Sequence, residues 1–78
     1  MPHDRITVDP RIMFGKPVIK GTRITVELIL RKLGEGMTDQ QIIQHHPHLT
    51  VDDIHAAAAY AADQLAAEDI VLATGNSP

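Results

Sequence analysis

Three cationic side chains, Lys16, Lys20 and Arg23, sit among two glycines and a proline in the stretch GKPVIKGTRITV, residues 15–26. Cations held on a glycine-bounded segment bind anions, and a Gly-Lys pair first suggests phosphate. A phosphate loop needs Gly-Lys-Ser/Thr at the mouth of a helix, so that backbone N–H groups and the helix N-terminus face the ligand. Here Lys16 precedes Pro17, which offers no N–H and confines Lys16 to extended geometry, and Gly21 runs straight into Thr22 with no lysine between them. A nucleotide loop does not fit. Two other classes of anion remain: the carboxylates of a protein partner and the phosphates of a nucleic-acid backbone.

The other reactive side chains do not form familiar sites. His45, His46, His48 and His55 are near neighbours, but no cysteine accompanies them and their spacing matches no common ligand set. No metal or other cofactor is expected. Asp52 and Asp53 follow Thr50 closely and read as first-turn partners of a helix dipole rather than as an acid/base pair. Ser77 lies near the C-terminus away from any base, so nucleophilic catalysis has nothing to work with. The sequence is that of a binding protein, not an enzyme, with no small-molecule substrate.

Charge is unevenly divided. All seven Lys and Arg residues fall in the first 32 positions beside three acids, a balance of +4, whereas the remainder holds seven acids and no Lys or Arg, a balance of −7. That split points the first half towards an anionic partner. The alternative is that folding interleaves the two halves and neutralises them.

Stepping outward to the elements that position these groups, Ile6-Thr7-Val8 and Val18-Ile19 are short β-prone runs, and Arg23-Ile24-Thr25 reads as a return strand. Gly21 after Lys20 suits a tight reversal at positive φ. Thr25 can cap a first helix with Val26, Ile29, Leu30 and Leu33 on one face, ended by Gly34 and Gly36. Thr38 and Gln41 form a capping box for a two-turn second helix that buries Ile42 and Ile43 and stops before Pro47. Thr50 caps a third helix over 51–67, with Val51, Ile54, Ala58, Ala61 and Leu65 along one face. The expected fold is mainly α: residues 1–24 an N-terminal β-hairpin arm, 25–67 a three-helix helix-turn-helix core, and 68–78 a C-terminal tail.

With 78 residues, the chain is one small domain whose core supplies about 3–5 kcal/mol. The third helix carries eight alanines between Ala56 and Ala67, a surface that a neighbouring helix can approach closely, although alanine there also serves simple helix propensity. A homodimer is expected, paired through arms or third helices. The lack of cysteine suits a reducing cytoplasm, and no run approaches the roughly 18 apolar residues of a membrane span, so a cytoplasmic protein with no membrane association is expected.

Ile6-x-x-Asp9-Pro10-x-Ile12, then GKPVIKGTRITV, then Leu33-Gly34-Glu35-Gly36, His46-Pro47-x-Leu49-Thr50 and the Ala-rich helix with Tyr60-Ala61 together resemble the small prokaryotic family catalogued as uncharacterised domain number 433. The resemblance spans roughly residues 6 to 72, and Gly15-Lys16-Pro17 followed by Gly21-Thr22-Arg23-Ile24 is its most specific piece. It implies a homeodomain-like three-helix domain with a β arm, and a VapB-type antitoxin role beside a PIN-like ribonuclease toxin. Many members have two adjacent glycines before the lysine. Here Phe14 stands at the first of these positions, and the turn is expected to differ there.

Three functions follow as expectations. The first is an antitoxin that silences a PIN-like ribonuclease and also regulates its own operator DNA, the second a DNA-binding regulator without a toxin, and the third a plain oligomerising module. Lys16, Lys20, Arg23, Arg31 and Lys32 are the candidate partner- or nucleic-acid-binding residues, presented by a turn built from Gly15, Pro17, Gly21 and Thr22. The competing view is that Thr22 and Arg23 only brace the fold. A helix that reads the major groove carries Arg, Lys, Asn or Gln, whereas residues 51–67 offer Asp52, Asp53, His55, Asp63 and Gln64. Sequence-specific DNA binding by the isolated protein should therefore be weak or absent. The check is footprinting at nanomolar protein in physiological salt; a protected site that survives alanine at Lys16, Lys20 and Arg23 would contradict it.

Overall fold

The computed structural model describes residues 3–76, with backbone alone over 68–76. Two short strands, β1 (Ile6–Thr7) and β2 (Val18–Ile19), precede three helices, α1 (Val26–Gly34), α2 (Asp39–His45) and α3 (Val51–Asn76). The fold is thus mainly helical with an N-terminal antiparallel β arm, as the sequence indicates. No helix among the described residues is long and apolar enough to cross a membrane.

The arm differs from expectation in its pairing. β2 pairs with β1, Ile6 opposite Ile19 and Thr7 opposite Val18, rather than with a full return strand at 23–25. That return is a single antiparallel bridge between Val18 and Thr25, flanked by Ile19 N–H donating to the Ile24 carbonyl and Val26 N–H to the Pro17 carbonyl, both at 2.9 Å. Two local demands cut it short. The Ile24 N–H donates to Thr22 Oγ1 (3.0 Å) within the turn, and Thr25 is already committed as the cap of α1, accepting from Leu28 N–H at 3.0 Å. Val8, expected to extend β1, lies outside it and is exposed.

The helix boundaries follow their capping chemistry. At the end of α1, Gly36 takes φ +93°, its N–H donates to the Leu33 carbonyl, and Met37 N–H donates to the Lys32 carbonyl. Those two bonds satisfy carbonyls that the helix end would leave open. At α2, Thr38 Oγ1 accepts from Gln41 N–H while the Gln41 side chain accepts from Thr38 N–H, so both halves of the capping box are present. Without a buried face longer than two turns, α2 depends on that cap and on Ile42, which is fully enclosed.

The core gathers Ile19 from β2, Val26 and Ile29 from α1, Ile42 from α2, Leu49 from the connection before α3, and Ile54 and Ala57 from α3, with Ile6, Ile24, Leu33 and Tyr60 packed around them. Along α3 the buried line runs through Ile54 and Ala57 to Ala61, not through Ala58 and Leu65. Ala58 is exposed, and Leu65 is 56% exposed because the helix has left the domain by that point. α3 is also longer than the expected 51–67, running 26 residues to Asn76, so much of the expected 68–78 tail continues the helix. Ser77 lies outside the described residues.

Ile42→Ala should cost about 2–5 kcal/mol through lost contacts and a cavity. Against about 3–5 kcal/mol from a core this size, that removes much of the stability, and thermal melting followed by circular dichroism should show a midpoint lowered by about 10 °C or more. Leu65→Ala should shift stability by no more than about 0.5 kcal/mol.

Candidate functional site

The centre of the candidate site is a reversal at Ile19–Thr22. Thr22 N–H donates to the Ile19 carbonyl at 2.9 Å, and Gly21, third residue of the turn, takes φ +80°. This is the pattern of a type II turn, which requires positive φ at that position. A Cβ at Gly21 would meet nothing within 4 Å, so the glycine is needed for its backbone angle alone. Thr22 ties the turn a second time. Its hydroxyl donates to the Ile19 carbonyl at 2.7 Å and accepts from Ile24 N–H. Lys20 N–H donates to the Arg5 carbonyl at 2.7 Å, fastening the turn to the segment leading into β1.

From that frame Lys20 and Arg23 project into solvent. Gly21, Thr22 and Arg23 form a ridge between two clefts, one completed by Thr7, Ile12 and Val18, the other by Ile24 and His48. Neither Lys20 nor Arg23 has a carboxylate partner among the described residues, and the same holds for Lys32 on α1.

The remaining candidates lie in a different setting. Lys16 Nζ reaches Glu27 Oε1 at 3.1 Å, and Arg31 reaches Glu27 Oε2 at 3.2 Å one helical turn along α1. Glu27 thus engages two of the five proposed binding cations and leaves Lys20, Arg23 and Lys32. Pro17 lends its carbonyl to Val26 and lines a cleft with Val26, Leu30 and Arg31. Gly15 closes a turn at Met13–Gly15 in which three successive residues have positive φ, at 50°, 59° and 81°. Phe14, where glycine was noted as usual, adopts a left-handed conformation with its ring 95% exposed. Such a backbone costs a non-glycine residue on the order of 1–2 kcal/mol.

Two other polar contacts were not apparent from the sequence. Arg5 donates to Asp53 Oδ1 at 3.0 Å and lies 3.6 Å from Asp52, joining the start of the arm to the first turn of α3. His3 contacts Asp63 at 2.7 Å and meets Tyr60 edge-on, ring centres 5.2 Å apart. Both join residues about 50 or more positions apart, beyond the reach of spacing arguments. The Thr50-x-x-Asp53 pattern did hold a local signal, since Asp can replace Glu in a reciprocal cap. Apart from those of Arg5, the described ion pairs of the N-terminal Lys and Arg residues stay within the first half of the chain. The two oppositely charged halves are only partly interleaved.

The Glu27 carboxyl is held below the usual carboxylate range, first by the hydrogen bond from Lys16 and then by that from Arg31. Because the folded-state value is depressed, the pairing stabilises fully above the ordinary carboxylate range and is lost as pH falls through the lowered value. A carboxyl-carbon NMR titration should show Lys16→Gln moving the Glu27 midpoint upward by more than Arg31→Gln does. A midpoint unmoved by both substitutions would rule out the shared contact.

The region from the first residue of β1 to Ala61, the last α3 residue packed on the core, is also the region that known proteins share. A family model described as "Protein of unknown function (DUF433)" matches residues 6–61. The crystal structure of a DUF433 member protein from Anabaena variabilis is similar at a TM-score of 0.76 and 27% identity, covering 90% of this chain and 69% of that one. An uncharacterized protein of Archaeoglobus fulgidus is 57% identical over 28 residues, which are 36% of this chain and 78% of that protein. With β1, β2, the turn, α1, α2 and the core-packed part of α3 inside the matched span, the chain belongs to the DUF433 family.

Proposed function

We propose that this protein is an antitoxin-like binding module that inserts the Lys20–Arg23 ridge into the acidic site of a PIN-like ribonuclease. The observation that carries the reading is the distribution of ion pairs. Lys16 and Arg31 are engaged by Glu27, and Arg5 by Asp52 and Asp53, whereas Lys20 and Arg23 have no ion-pair partner among the described residues and stand on a turn with doubled hydrogen bonding. The stiff support leaves only the two side chains to be ordered on binding, and binding favours a backbone so preorganised. A cluster of carboxylates suits this ridge, because a guanidinium grips one carboxylate through two parallel hydrogen bonds while the lysine adds a point charge. The nuclease partner comes from the family resemblance; the ridge supplies a chemistry that fits it.

Operon regulation would need a second surface. The exposed positions of α3 offer a groove Asp52 and Asp63, which repel phosphate. Any contact with DNA would fall to the arm and α1, doubled in a dimer. The competing structural role of Arg23 is also weakened, since its side chain makes no hydrogen bond or ion pair among the described residues and the bracing is done by Thr22.

Co-expression with the product of the adjacent reading frame, followed by copurification and a ribonuclease assay, tests the proposal. Arg23→Ala should melt like the unsubstituted protein while losing roughly 2–5 kcal/mol of complex stability. Arg23→Lys should recover only part of that loss, lacking the planar fork. Unchanged affinity and inhibition by a normally folded Arg23→Ala protein would reject this residue as the probe.

A further inference from the structure

Two turns border one cleft. The first is the Ile19–Thr22 reversal that carries Arg23. The second joins α2 to α3 and is closed by Leu49 N–H donating to the His46 carbonyl at 2.9 Å. Pro47 and His48 are its central residues, and a proline at the first of those positions pre-sets the backbone angle the turn needs. Leu49 is buried and anchors this turn in the core, while His48 itself is exposed. The cleft between the turns has a volume of about 570 Å³, in the range of ligand sites. Gly21, Thr22, Arg23, Ile24 and His48 line it, with no Asp or Glu in its walls. Neither the Arg23 nor the His48 side chain makes a hydrogen bond or ion pair among the described residues. The other titratable and charged groups of the neighbouring elements are Lys20 on the opposite turn, His45 and His46 where α2 ends, and Asp52, Asp53 and His55 at the start of α3. The two carboxylates are engaged by Arg5, at 3.6 and 3.0 Å, and His55 lies 3.8 Å from Asp39. The cleft walls therefore hold one permanent cation and one imidazole, the side chain that gains its charge between about pH 8 and pH 5, and no counter-charge.

We infer that a carboxylate of the acidic protein partner enters the Arg23–His48 cleft, where the guanidinium grips it and the His48 imidazolium donates a hydrogen bond to it, so that binding takes up a proton. This rests on the reading of the Lys20–Arg23 ridge as a carboxylate-binding surface, and it adds a residue and a pH dependence to that surface. One guanidinium and one imidazolium match a single carboxylate, whereas a nucleic-acid strand needs a row of cations along its phosphates. A bound carboxylate favours the charged imidazole and raises its midpoint in the complex. Affinity is therefore highest below the ordinary imidazole range and falls as pH rises through the raised midpoint. The partner's carboxylates stay ionised throughout that interval, since their own range lies near about pH 4.

An NMR titration of the full chain with a hexa-aspartate peptide at low salt tests the inference without the nuclease. Expected is binding about fivefold tighter near pH 6 than near pH 8, with the His48 ring signals titrating at a higher midpoint when peptide is bound. His48→Ala, at an exposed position, should melt like the unsubstituted protein, retain its affinity at the higher pH and lose the gain on acidification. His48→Arg carries a permanent charge and should bind tightly at both. His3, His45, His46 and His55 remain in both variants, so a gain that survives His48→Ala belongs to them and overturns the inference. Binding that depends on Arg23 but not on pH also overturns it, and leaves the ridge reading intact. Failure of the nuclease to copurify would count against that partner and not against the cleft. No binding at millimolar peptide, or a single-stranded oligonucleotide bound in preference to the peptide, overturns the inference as well.

Discussion

Asp53 is a carboxylate with little access to water whose two oxygens are both committed. One oxygen accepts from Thr50 N–H at 3.0 Å, the other from Arg5 at 3.0 Å, and the Asp53 N–H donates to Thr50 Oγ1. This group determines where α3 begins and, through Arg5, where the arm lies against it. The arm then determines the rest. The Arg5 carbonyl receives Lys20 N–H, and β2 runs beside β1 in a register that sends Ile19 into the core. A carboxylate so enclosed is costly to leave without partners, which is why one residue can dictate the placement of elements distant in sequence. The exposed turn at Gly21 is therefore supported, through two hydrogen-bonded steps, by the first turn of the last helix.

Local chemistry was legible in the sequence, and long-range chemistry was not. Thr25, Thr38 and Gln41, Gly36 and Gly21 each act within a few residues of themselves, and each occupies its expected role. The buried face of α3 was misassigned by one position, Ala57 for Ala58, because in a run of alanines periodicity carries almost no contrast. Leu65 misled for a related reason: an apolar residue at the right spacing signals burial only where there is something to pack against. The candidate site was half legible. The grouping of cations around Gly15 and Gly21 was visible, but not that Glu27 would engage Lys16 and Arg31 while Lys20 and Arg23 found no ion-pair partner among the described residues. That division depends on the fold of the arm against α1, which no spacing rule contains.

Glu27 and Phe14 show two ways in which a small protein prepares a surface. Glu27 draws nearby positive charge onto one edge of α1, so the potential of the arm is concentrated at its tip rather than spread along its length. Phe14 keeps an apolar ring in water on a backbone that resists it. The Glu27 pairing adds to the stability of the chain, whereas the Phe14 backbone reduces it, and in a domain with so little core that is a large concession.

Beyond Ala61, α3 continues with every residue from Ala62 to Ala67 exposed, and only His3 reaches it there, at Asp63. Exposed positions such as these place little demand on composition beyond the capacity to be helical. Asp63 apart, residues 62–67 therefore form a segment that the rest of the fold constrains only through its backbone.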